Sequence, residues 1–142
     1  MTKIASQERL RFDYVDVHPE DGPQCRVEVG FTFMNRLVRA SATDSNEGTG
    51  PLKAAASAAL KAIEMAAESR FGCALADLDH VNALGKDLIA VLVNIDFEGK
   101  QLQVFGSCQI TSSETDAAVR AALNATNRFF DLALRTEIRS QE

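Results

Sequence analysis

A chain of 142 residues, 46% hydrophobic and 25% charged, fits one ordinary domain or two small repeats sharing a core. Its net charge is −5, and its 15 Lys and Arg are scattered, which excludes nucleic acid and an anionic membrane surface as natural partners. Cys25, Cys73 and Cys108 are odd in number and lack a CxxC spacing, the first residues carry no apolar leader, and no run approaches the ~20 apolar residues of a membrane span, so the expected protein is soluble, reduced and cytoplasmic.

Residues 1–10 are polar and read as a loose lead-in. Phe12–Val17 has the composition of a strand, closed by the turn-rich stretch His18–Pro23. From 25 to 33 the alternation is clean. Cys25, Val27, Val29, Phe31 and Phe33 face one way, and Arg26, Glu28, Gly30 and Thr32 the other. Met34-Asn35 makes a hairpin, and Val38, Ala40 and Ala42 continue the apolar face on the returning strand. After the loop Thr43–Gly50, Pro51 sits at the first position of a helix running to Glu68. Lys53, Ser57, Lys61, Glu64 and Glu68 recur every three or four residues and form one solvent-facing stripe. The opposite face is mostly alanine, so the helix must lie close against its partner, for which a sheet is expected. Its stop is expected near Ser69–Gly72, with the glycine as terminator.

The second half repeats the plan. Leu78–Ala83 is a lead strand, Leu84–Asp87 a turn, and Val91, Val93, Ile95 and Phe97 alternate with Leu92, Asn94, Asp96 and Glu98. Glu98–Lys100 is a hairpin, and Leu102, Val104, Gly106, Cys108 and Ile110 form the returning face. Ser113 and Asp116 resemble a capping box at the start of a helix from about 114 to 134, beyond which the charged tail is expected to fray. Shifted by 64, Val27, Val29, Phe31 and Phe33 fall on Val91, Val93, Ile95 and Phe97. Shifted by 63, the stripe of the first helix falls on Asp116, Arg120, Asn124, Asn127 and Asp131. The expected fold is α+β: one domain over 1–142, an internal duplication of a βββα unit with antiparallel strands and two alanine-rich helices packed on sheet. The repeats span about 12–70 and 76–135, with a tail at 136–142.

Enzymatic constellations are sparse. His18 and His80 read as surface histidines, and Cys25 and Cys108 fall on the apolar parity of their strands. Cys73 is placed in a loop, with nothing beside it to lower its pKa; an enzyme built on Cys73 or His80 is the weakest of three readings. No metal spacing, nucleophile elbow or phosphate-binding loop is present, and no cofactor is expected. Gly48-Thr49-Gly50-Pro51 stands apart. Two glycines and a proline suffice to turn a chain into a helix. They also let a ligand approach the backbone, where helix N–H groups accept a carboxylate, Lys53 adds positive charge, and Asp44 and Glu47 answer an ammonium group. Such a set suits an amino acid. The second helix start carries its own acids, Glu114 and Asp116, so the two starts are not equivalent.

Gly48-x-Gly50-Pro51 before an alanine-rich helix, the hairpin segment Ala90–Gly99 and the helix segment Ala121–Arg128 stand in an order that resembles a known family. It is the C-terminal regulatory (allosteric, dimerisation) domain of 2-isopropylmalate synthase and citramalate synthase, similar over roughly residues 12–130. That resemblance implies a non-catalytic homodimer. An amino-acid effector such as leucine binds near its interface and inhibits a separate catalytic barrel, which 142 residues cannot hold. The candidate ligand-binding residues are Gly48, Thr49, Gly50, Pro51 and Lys53 at the first helix start, with Ser112 and Ser113 at the second. The family's small-Thr-Asp-apolar-apolar run corresponds here to Thr111-Ser112-Ser113-Glu114-Thr115, and Lys53 stands where many members have Asp. A freestanding module acting on a synthase in trans is expected; the alternative is an interaction or scaffold module that keeps the dimer and has lost the ligand.

Overall fold

The period-two alternation of residues 25–33 holds in three dimensions: Cys25, Val27, Val29, Phe31 and Phe33 are all buried on one strand face in the computed structural model. The structure describes residues 9–19 and 22–141, with the side chains of 136–141 excepted, so residues 1–8 of the polar lead-in and two residues of the first turn lie outside it. In chain order the elements are β1 (Arg11–Pro19), β2 (Gln24–Phe33), β3 (Arg36–Ser45), α1 (Gly50–Ala66), β4 (Gly72–Ala83), β5 (Lys86–Phe97), β6 (Lys100–Gln109) and α2 (Glu114–Gln141). β1-β2-β3 form one antiparallel sheet and β4-β5-β6 another, so the fold is α+β with a βββα unit used twice.

Register follows the apolar pattern. Val27, Val29 and Phe31 oppose Ala42, Ala40 and Val38, while Val91, Val93 and Ile95 oppose Gly106, Val104 and Leu102. Three hairpins close through two residues at positive φ, Met34-Asn35, Leu84-Gly85 and Glu98-Gly99, the geometry whose twist matches paired strands. The duplication reaches the lead strands too. β1 is irregular between Phe12 and Tyr14, and β4 between Leu75 and Asp77, 63 residues on.

Three boundaries differ from expectation. β4 begins at Gly72 rather than near 78, which moves Cys73 out of a loop and into a strand. α1 ends at Ala66, and the stop is made not by Gly72 but by Glu68 and Ser69 in the left-handed region, at φ of 53° and 59°. There the Ser69 N–H reaches the Glu64 carbonyl (2.9 Å), and the Arg70 guanidinium reaches the Ala67 carbonyl (3.3 Å). Finally, α2 runs on to Gln141 instead of fraying after 134, in keeping with the absence of Gly and Pro from its last turns.

The helices meet more than a sheet. α1 packs on β2 and β3 and touches β4, while α2 packs on β5 and β6 and reaches β1; the two helices also pack on each other. The helix pair thus forms a middle layer with one sheet on either side. This explains why Leu52, Ala54, Ala55, Ala56, Ala58, Ala59, Leu60, Ala62 and Ile63 are all buried, roughly 240° of the helix circumference at 3.6 residues per turn. Phe33 of β2 meets Phe130 of α2 edge-on (5.0 Å), and Phe129 takes Phe97 and Phe71. Contact is tightest at β6, where a Cβ on Gly106 would stand 2.2 Å from the Ala121 carbonyl and 2.6 Å from the Ala125 nitrogen.

G106A therefore has to push α2 off its sheet, since both obstacles are backbone. It should lower unfolding stability by about 1–3 kcal/mol or more, whereas G72A, with no positive φ and a Cβ that would meet nothing nearer than 3.5 Å, should lose far less. Urea midpoints of the two variants make the comparison.

Candidate functional site

The start of α1 is held by a run of local hydrogen bonds that begins as β3 ends. The Ser45 N–H donates to Asp44 Oδ1 (2.6 Å), the Glu47 N–H to Ser45 Oγ (3.1 Å) and the Asn46 N–H to the Pro23 carbonyl (2.7 Å). The Gly50 N–H donates to the Glu47 carbonyl (3.0 Å) and the Lys53 N–H to the Thr49 carbonyl (2.9 Å). Pro51 has no N–H, and among the described residues no loop or cap hydrogen bond takes the Leu52 N–H. Thr49 occupies the N-cap position without a side-chain cap, and no acid lies in the turn. Lys53 is half-buried and makes no ion pair with a described residue.

Gly50 is required by its own chain. A Cβ there would stand 1.9 Å from the Ser45 carbonyl oxygen, so this glycine exists to let β3 pass beside the helix start. Gly48 differs: its φ is +59° and a Cβ would meet nothing within 4 Å. Of the two glycines, only Gly48 borders open space.

The other two candidates sit at the start of α2. Ser113 Oγ accepts the Asp116 N–H (3.1 Å) and its carbonyl accepts the Ala117 N–H (3.1 Å), so Ser113 is the helix cap the spacing predicts. The reciprocal half of the capping box is missing because the Asp116 carboxylate pairs with Arg120 (2.8 Å), whose guanidinium stacks 5.0 Å from the centre of the Phe12 ring. Glu114 lies 3.3 Å from His80 Nδ1. Ser112 is exposed. No hydrogen bond or ion pair among the described residues joins Ser112 or Ser113 to the Gly48–Lys53 group.

A groove lies elsewhere. It measures about 610 Å³ between Glu64 of α1, Cys73 of β4 and Leu102 of β6, with Asn94, Asp96 and Gln103 around it. Two others, about 340 and 530 Å³, lie beside the β2–β3 hairpin near Arg36. None of the seven candidates lines any of the three. The first groove escaped the sequence reading because β4 starts earlier than its apolar residues suggest. The position of Glu64 on the polar stripe was the available clue: its carboxylate accepts the Cys73 N–H (2.9 Å).

Cysteine chemistry is suppressed by burial. The Cys73 thiol donates to the Leu60 carbonyl (3.4 Å), and burial, reinforced by the Glu64 charge, pushes its pKa up to about 12. Burial also raises Cys108, against the opposing pull of Arg120, and Cys25 is wholly enclosed. Among the described residues no group of three or more His, Cys, Asp or Glu is placed to hold a metal ion, and no helix is long and apolar enough to cross a membrane. Neither a family model nor a curated protein matches the sequence.

Thiol modification tests this placement. At pH 8 the folded protein should react with a thiol-specific disulfide reagent fastest at Cys108, more slowly at Cys73 and slowest at Cys25, while the unfolded chain should react evenly at all three. The protonated Cys73 thiol stabilises the fold below its ordinary value of 9.0. As the pH climbs toward 12 the unfolded thiol ionises first, and this contribution is lost. C73A should therefore show a shallower alkaline decline in melting temperature than the parent over that window.

Proposed function

We propose that this chain is a non-catalytic dimerisation and effector-binding module of amino-acid biosynthesis, which acts on a 2-isopropylmalate synthase-like enzyme in trans and takes a leucine-like amino acid at the start of α1. The observation that supports the reading is the βββα–βββα order with Gly48-x-Gly50-Pro51 opening the first helix, the arrangement that the resemblance to those regulatory domains implies. The inequality of the two helix starts adds to it. The first holds Lys53 and no acid, while the second is closed by Glu114 and Asp116. An amino-acid carboxylate would meet the Leu52 N–H and the Lys53 ammonium beside Gly48, and its ammonium group would face Glu47.

A second reading keeps the dimer and drops the ligand. It is favoured by the economy of the first turn, where the Leu52 N–H alone lacks a loop or cap hydrogen bond among the described residues, and by the use of Ser113 as a cap.

Thermal unfolding against the twenty amino acids separates the two. An effector at a hundred times its dissociation constant should add about 2.7 kcal/mol to stability, with the branched aliphatic amino acids giving the largest shift. K53E should weaken that response at least tenfold and leave the ligand-free melting temperature unchanged within error. A flat response to all twenty would exclude the effector site and favour the scaffold reading. Gly50 is unsuitable for this test, because any side chain there collides with Ser45.

A further inference from the structure

The free edge of β3 is open where α1 ends. β2 and β3 are joined by the two-residue turn Met34-Asn35, so Phe33 and Arg36 exchange hydrogen bonds and the pairs alternate from there. Phe31–Val38 and Val29–Ala40 are bonded in the same way. Leu37, Arg39 and Ser41 therefore turn their N–H and C=O groups away from β2, toward the outer edge of the sheet. Lys61 fits that parity, since its Nζ reaches the Ser41 carbonyl from α1 (3.2 Å). One turn further along the helix stands Met65, which has no polar end to close the edge. A groove of about 530 Å³ remains there, between Met65 and the strand from Arg36 to Arg39. Among the described residues no loop or side-chain hydrogen bond takes the N–H or C=O of Leu37 or Arg39.

The chemistry of this corner is not imposed by the fold. Leu37 and Met65 are each 53% exposed, and Met34 at the hairpin tip is 57% exposed. Shifted by 64, Arg36, Leu37 and Arg39 fall on Lys100, Gln101 and Gln103; shifted by 63, Met65 falls on Arg128. The second repeat thus builds the same corner from polar side chains. On the other side of Arg36 lies the cavity of about 340 Å³, walled by Phe33, Ala66 and Leu134. Charge is reversed here as well. In a chain of net charge −5, the two grooves carry Arg36, Arg39 and Arg70 against Glu68, whose carboxylate Arg70 already holds (2.9 Å). Arg39 approaches the Tyr14 hydroxyl, but neither it nor Arg36 makes an ion pair among the described residues.

We propose that this edge takes an extended segment of a partner protein, with alternating acidic and apolar side chains, as an added strand beside β3. The open N–H and C=O groups of Leu37 and Arg39 supply the main-chain hydrogen bonds of strand addition. Acidic side chains of the segment meet the Arg36 guanidinium, which can hold a carboxylate through two parallel bonds. Apolar ones lie on Met65 and Leu37 and, beyond Arg36, in the cavity walled by Phe33; methionine adapts its shape to such a contact. The added strand is short, because Lys61 closes the edge at Ser41. A second copy suits this edge poorly. Two copies paired here about a two-fold axis would bring Arg36 and Arg39 of both together, a like-charge contact that association would have to overcome. The inference goes beyond the proposed function and needs neither the effector nor the dimer.

The probe is a capped, fluorescein-labelled peptide of sequence Leu-Glu-Val-Asp-Val-Glu-Leu, titrated with the full chain. Fluorescence anisotropy should show saturable binding at protein concentrations below about 1 mM. The same peptide with lysine in place of each acid should bind roughly tenfold more weakly or not at all. So should the acidic peptide N-methylated at alternate residues, which keeps its side chains and loses its main-chain donors. R36E and M65E should each weaken binding about tenfold, whereas K100E, the same charge reversal at the equivalent corner, should leave it unchanged. All three positions are exposed, so circular dichroism and melting should stay close to those of the parent. In the saturated complex the Leu37 and Arg39 amides should exchange with deuterium about tenfold more slowly, and those of Gln101 and Gln103 at their original rate. No binding up to about 1 mM, equal binding of the lysine peptide, or binding without protection of those two amides would overturn the inference. Protection of the same amides that rises with protein concentration in the absence of peptide would assign the edge to a second copy and overturn it too.

Discussion

Close approach is the constraint on which the molecule depends. Two helices lie between two sheets, so each must be thin on more than one side, and alanine is the side chain that allows it. Burying alanine recovers little apolar area per residue, so the strands have to supply the bulk. They do so with Val27, Val29 and Phe31 in one sheet and Ile89, Val91, Val93 and Ile95 in the other, all essentially inaccessible to water. Gly106 is the extreme case, a strand position with no side chain because the backbone of α2 already occupies the space. A helix layer of this kind tolerates polarity only where it can be answered within the helix. Thr126 does this by donating to the Ala122 carbonyl (2.9 Å).

The fold was legible where one physical signal dominated. Period-two alternation around Val29 and Val93 placed two central strands and their inner faces, and the three-and-four spacing from Lys53 to Glu68 placed the solvent stripe of α1. Misreadings fell where signals were mixed. The first turn of β4 contains Gly72, Ala74 and Ala76, poor strand formers, and only pairing with Asn94, Ile95 and Asp96 makes it a strand. The end of α1 went to Gly72 because glycine is the usual terminator. The chain instead turns through two non-glycine residues, with Arg70 supporting the helix end.

Gly50 shows why a site is harder to read than a fold. Gly48 and Gly50 look alike in sequence, and both suggest a backbone open to a ligand. In the folded chain one is packed on the Ser45 carbonyl and the other borders open space, a difference set by where β3 passes. Leu92 carries the complementary lesson. Alternation assigns it to the outer parity of its strand, and only comparison with Glu28, its counterpart in the first sheet, makes its apolar character unusual.

The two sheets exchange no strands. Each closes on itself through antiparallel neighbours, joined within a repeat by tight turns or a short connection, and the repeats meet where α1 packs on α2 and β4 and where α2 reaches β1. Chain-closure entropy is consequently small for all of the strand pairing and falls mainly on a single event, the docking of one half on the other. Contact order is low inside each half and high only across that seam. The long loops of this molecule are thereby closed in one place, where α1 docks on α2 and β4.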